Sequence, residues 1–209
     1  MARYVTRLLA VSSAVTALAA IGAGPGAAVP GEASGPVPVA SGLNNPRQLS
    51  FAPNGALYVA EAGTGGSGPC VDGAEGEVCF GPTGSVTRVA GGRQSRVITG
   101  LPSLAGEGGA AATGPADIVV HGDGSYALVM GLGGNPAVRA DLPPAGKQFA
   151  TVLGGRLGGR RSITADLGAY EAAHNPHAQG VDTNPTSIEM VGASHLIVDA
   201  GGVVKIPIG

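Results

Sequence analysis

Apolar and polar residues alternate in short runs along most of the chain, and each run is closed by glycine or proline. PRQLSF and LYVAE flank Pro53-Asn54-Gly55; PADIVV and SYALVM flank Gly122-Asp123-Gly124; SIEMV and SHLIVD flank Gly192-Ala193-Ser194. A period of two over four to six residues predicts strands, and a turn triplet between two such runs predicts a β-hairpin. Asn-Gly and Asp-Gly supply the positive φ that tight hairpin turns need. The three hairpins align on Pro46, Pro115 and Pro185, a spacing of about 70 residues. Two further strand-like pieces follow the first hairpin (85–91 and 95–101) and the second (148–154 and 161–167). Four short antiparallel strands per repeat is the make-up of a β-propeller blade. The fold class expected is therefore all-β: four-stranded propeller blades, about two and a half of them, over 42–102, 114–168 and 184–209.

A propeller blade is usually ~40–45 residues long, so each repeat carries extra chain. The excess lies between second and third strands and between successive repeats: GTGGSGPCVDGAEGEVCFGPTG, GLGGNPAVRADLPPAGK and GAYEAAHNPHAQGVDTNP. In an up-and-down blade both kinds of connection leave from the same end. The loops are thus expected on one face, with tight turns on the other. Only AYEAAH within them reads as helix. Functional loops concentrate on one side of a rigid scaffold, which makes this the face to search.

Composition changes the picture in two places. Charged residues are only 12% and the net charge is −2, which gives no footprint for nucleic acid. Low charge with much glycine would suit disorder, but the aliphatic runs argue against it. The first residues are a separate matter. Arg3 and Arg7 precede the apolar LLAVSSAVTALAAIGAG and then small residues before a proline. This predicts a signal peptide over 1–28, a flexible segment over 29–41, export, and no membrane span after cleavage. A retained anchor is the rival reading, disfavoured by a run shorter than the ~20 apolar residues of a span. Cys70 and Cys79 bracket a polar loop in the exported part, where an intrachain disulfide is the default. A two-cysteine metal site is the alternative.

Several residues invite a chemical reading. Glu61 and Asp199 end matching strands on the loop-rich face. Carboxylates repeated around such a rim could hold Ca²⁺; alternatively each caps its own turn by accepting backbone N–H bonds. The second repeat has Met130 at this place, so a full ring of carboxylates is absent. His174, His177 and Asp182 form the most metal-like cluster, of a kind that suits zinc. Pro176 between the histidines breaks helical geometry, which favours a solvated loop instead. Asn45 and Asn184 precede their prolines and could line a mouth for a sugar or lactone, or simply bond the backbone at the start of each strand. The glycine-rich GLGGN and GGRLGGRR lack the strand–loop–helix setting of a phosphate cradle. No Gly-x-Ser-x-Gly or His-Glu-x-x-His pattern occurs.

NNPRQLSFAPNGALYVAEAG is similar to an NHL-type propeller repeat. EAGTGGSGPCVDGAEGEVCFGPTGSVTRV, VITGLPSL and DLGAYEAAHNP…DTNP…VDAGG resemble the ScyD/ScyE family of exported propeller proteins, over about 42–202. That resemblance implies a secreted NHL-like propeller, six-bladed in full-length relatives, with no catalytic set to carry over. The chain departs from the pattern by stopping at Gly209, within a third repeat. Either it is a truncated or frame-disrupted member, or it completes itself by association through an exposed edge at 203–208. The function expected is an exported binding or scaffold protein whose loop-rich face meets a small molecule, glycan or protein. The alternatives are a Ca²⁺-dependent lactonase and an inactive gene product.

Overall fold

Alternating strands and tight turns become three antiparallel meanders. The structure, a computed structural model, describes residues 35–176, 178, 180–200 and 202–208. The predicted leader over 1–28 and the residues up to 34 lie outside the described residues. The first sheet runs β1 (Pro46–Phe51), β2 (Leu57–Glu61), β4 (Gly76–Ala90) and β5 (Arg93–Ala105), with β3 (Cys70–Gly73) paired to the first half of β4. The second is β6 (Pro115–Val120), β7 (Ser125–Met130), β8 (Thr151–Arg156) and β9 (Arg161–Asp166) in sequence order. The third is β10 (Ser187–Val191), β11 (Ser194–Asp199) and β12 (Gly202–Pro207). No helix among the described residues is long and apolar enough to cross a membrane.

The repeats match in detail. Pro46 pairs with Glu61 and Pro115 with Met130, and the register shifts immediately after each proline. The amide of Ala62 donates to Asn45 O at 2.9 Å, and that of Gly131 to Gly114 O at 2.8 Å. The first two hairpin turns close alike: Asn54 Oδ1 accepts from Ala56 N, and Asp123 Oδ1 from Ser125 N. Gly55 and Gly124 follow with φ of 77° and 81°, the left-handed conformation that glycine adopts without strain.

The period of two sorts the second sheet's side chains into two cores. Ile118, Leu128, Met130 and Leu153 pack with Tyr58, Val86, Ile98 and Leu101 of the first sheet. Ala127, Val129 and Val152 pack with Ile188 and Ile197 of the third. The second sheet is therefore covered on both faces. The first and last sheets each keep apolar residues in water, among them Leu49 and Phe51 on β1 and Val198 and Val203 on the last sheet.

The long connections differ from the expected loops. The cysteine-bearing insertion is a β-hairpin, because β4 runs straight on from it. Cys70 and Cys79 face one another across that hairpin and are joined as a disulfide. Phe80, next to the disulfide, meets Phe149 edge to face at 6.4 Å. Close backbone approach fixes the hairpin's seat: a Cβ on Gly81 would lie 2.1 Å from Gly65 O. The connection after β7 forms two short 3-10 turns, Pro136–Asp141 and Pro144–Gln148, where no helix was expected. Prolines at their first positions preset the required φ. Asn135 caps the first by accepting from Ala137 N. The anticipated helix α1 spans Leu167–His174 and is capped by Asp166.

Candidate functional site

Antiparallel pairing sends the first hairpin turn of each sheet to one end and the long connections of the first two sheets to the other; in the third sheet the second turn, between Asp199 and Gly202, is short. The long connections gather where the three proline-led strands begin. There they enclose a cavity of about 720 Å³. Its wall includes Pro46, Arg47 and Gln48 of β1, Pro115 and Ala116 of β6, and Asn184, Pro185 and Thr186 ahead of β10. The disulfide hairpin contributes Val71, Asp72 and Glu75, and the connection after β7 contributes Leu132, Gly134, Asn135 and Val138. Charged, amide, hydroxyl and aliphatic groups are mixed, and the lining holds no aromatic ring. Arg47 is anchored by donating from Nη2 to Ala112 O.

Glu61 is held away from this chemistry. Its side chain is fully buried and ion-paired with Arg96 at 2.8 Å. Oε1 accepts from Thr87 Oγ1 (2.6 Å) and Arg96 Nε (3.2 Å), and Oε2 from Asn44 N (2.6 Å) and Arg96 Nη2 (2.8 Å). A carboxylate offers about four lone-pair sites, and all four are used. Burial alone would raise the Glu61 pKa, but the bonds from Arg96, Thr87 and Asn44 outweigh it and hold the carboxyl below its ordinary value. Arg96 also donates to Gly42 O, and Gln94 bonds Ser41 in both directions. Glu61 thus clamps the chain at 42–44 to the first sheet. Ser41, at the end of the segment expected to be flexible, is pinned.

Asp199 repeats the clamp on a smaller scale. Its Oδ1 accepts from Asn184 N at 2.5 Å and from Ala200 N at 2.7 Å. The longer Glu61 reaches the residue two before its proline, and Asp199 the residue one before. At Met130 a fully buried thioether takes this place. Asn45 spends its side-chain amide on Gly63 O and Gly109 O. Asn184 reaches the cavity wall. Of the four binding candidates it alone lines the cavity; the other three make internal bonds.

Of the expected metal cluster the structure describes His174 and Asp182. His174 Nδ1 lies 2.9 Å from Tyr170 O, and its ring stacks on Tyr170 at 4.5 Å. Asp182 is exposed, and His177 lies outside the described residues. Among the described residues the one group of three metal-type side chains is Cys70, Glu77 and Cys79, whose two sulfurs are bonded to each other.

Two features escaped the sequence reading. Asp117, on β6, is 6% exposed; its Oδ1 accepts from Ile118 N (2.8 Å) and its Oδ2 from Ile188 N on β10 (2.9 Å). Burial pushes this carboxyl up to about 6 against those two bonds, and Glu189 nearby adds to the shift. A lone carboxylate inside an otherwise apolar strand was the available signal. The second is the approach of His121 to His195, two residues far apart in sequence. Nothing local foretells it.

Set against family models, curated proteins and solved structures, the chain matches none.

Proposed function

We propose that this protein is an exported binding module of the β-propeller type, whose loop-rich end receives a small polar ligand. The observation that carries this reading is the 720 Å³ cavity at the junction of all three repeats. Ligand sites are concave, with a few placed polar groups among apolar ones. Arg47, Gln48, Asn135, Asn184 and Thr186 supply directional groups, and Val71, Leu104 and Val138 supply apolar contact. Export is supported by the disulfide, which persists in oxidising compartments. The propeller assignment is supported by three matched meanders stacked through their first strands and by the resemblance to ScyD/ScyE and NHL repeats. A binding role is favoured over hydrolysis because Glu61 and Asp199, the two repeated carboxylates, hold backbone amides.

The test is a thermal-shift screen of the full chain against polar metabolites and oligosaccharides, repeated on Gly134→Trp. Gly134 lines the cavity and a Cβ there meets nothing within 4 Å, so an indole at this position is expected to take up ligand space. Hits that stabilise the wild type and not the variant are expected. Hits indifferent to the variant, or a screen without hits, would overturn the assignment.

A further inference from the structure

At the end opposite the cavity, two imidazoles from different sheets meet. His121 directly follows β6, and His195 is the second residue of β11. Their ring centroids are 5.5 Å apart, with planes tilted by 47°. His195 is 4% exposed, yet its Nε2 has no hydrogen-bond partner. An unsatisfied buried polar atom is costly and calls for an explanation. Imidazole is the commonest side-chain metal ligand.

We propose that His121 and His195 form a two-imidazole site for a divalent transition metal of the zinc, nickel or copper class. Distance supports this. A Zn–N bond of about 2.1 Å, extended by the ring's own radius, puts each centroid about 3.2 Å from the ion, and two such arms at the tetrahedral angle stand about 5.2 Å apart. The observed 5.5 Å is close to that separation. Imidazole donors select this class over calcium. Asp123, the carboxylate nearest in sequence to His121, is committed to Ser125 and to Arg156 at 2.8 Å. Water or an external donor therefore completes the coordination. His121 also lines a smaller cavity of about 310 Å³ with Asn54, Gly122 and Leu157. Because one ligand follows β6 and the other sits on β11, the ion would staple the second sheet to the third.

The experiment is calorimetric titration of the full chain with zinc chloride, paired with thermal unfolding. His121→Ala, His195→Ala and a His174→Ala/His177→Ala double variant are run alongside. One equivalent of zinc is expected to bind, raising Tm by about 5–10 °C at zinc a hundredfold above Kd. Binding should be lost in each of the first two variants and retained in the double variant, with no effect of calcium. Should His195→Ala fail to fold, His121→Ala decides, since that ring is only half-buried; its loss should also abolish the visible band of the cobalt-loaded protein. Zinc binding that survives His121→Ala, that disappears with His174 and His177, or that is absent at millimolar zinc would overturn the site.

Discussion

Replacing Glu61 by Gln isolates the clamp on the first sheet. The substitution keeps the side chain's volume but removes its charge, and one of the two terminal atoms becomes a donor. Four bonds converge on the native carboxylate, two of them from Arg96. Breaking a buried ion pair costs about 3–5 kcal/mol. Arg96 keeps 40% of its side chain in water, so solvent recovers part of that loss. The expected destabilisation is about 2–3 kcal/mol, or a fall in Tm of about 5–10 °C for a chain of this size. Urea unfolding followed by circular dichroism reads it directly. The pH dependence supplies an independent arm. The native pKa of Glu61 lies below its unfolded value, so its contribution is present above about pH 4.3 and is lost as pH falls through the native value. The gap between wild type and variant should therefore close on acidification below pH 4. A loss under about 0.5 kcal/mol at neutral pH would refute the reasoning. A gap that stays constant down to pH 3 would do the same.

Asp117 should behave in the opposite sense. Its native pKa is raised, so its contribution is complete below the unfolded value and is lost as pH rises through about 6; a carboxyl carbon-13 titration should show a midpoint near 6, and one below 4.5 would contradict the buried setting. Replacing Cys70 and Cys79 together by Ala opens a short loop and should cost about 2–3 kcal/mol in urea unfolding. Because Val71, Asp72 and Glu75 of that hairpin line the cavity, the same variant should weaken any ligand found there, and unchanged affinity would detach the hairpin from the site.

How much the sequence disclosed depended on the range of the interaction. The hairpins of Pro46–Glu61 and Pro115–Met130 were legible because alternation and an Asn-Gly or Asp-Gly turn are local signals. The disulfide was legible from two cysteines across a short polar stretch. The hairpin that carries it was not, because Gly76 to Gly84 has little alternation and is held by pairing with β3 up to Cys79 and with β5 from Cys79 onward. The proline-rich connection after β7 carries the sign of its 3-10 turns in Asn135-Pro136, an N-cap followed by proline at the first position. Glu61 was marked by its place at the end of β2, and the choice between ligand and clamp needed Arg96, which lies 35 residues away. Asp117 and the His121–His195 pair depend on one sheet meeting another, a contact that no window of sequence contains.

Everything functional in this account rests on three equivalent sheets stacked through their first strands. Nuclear Overhauser contacts on labelled protein test that most directly. Cross-peaks are expected between Ser50 and Ile118, where Ser50 Oγ donates to Ile118 O, and between the Ile188 amide and the Asp117 Hβ protons. A spectrum with the hairpin contacts intact but neither of these inter-sheet contacts would contradict it.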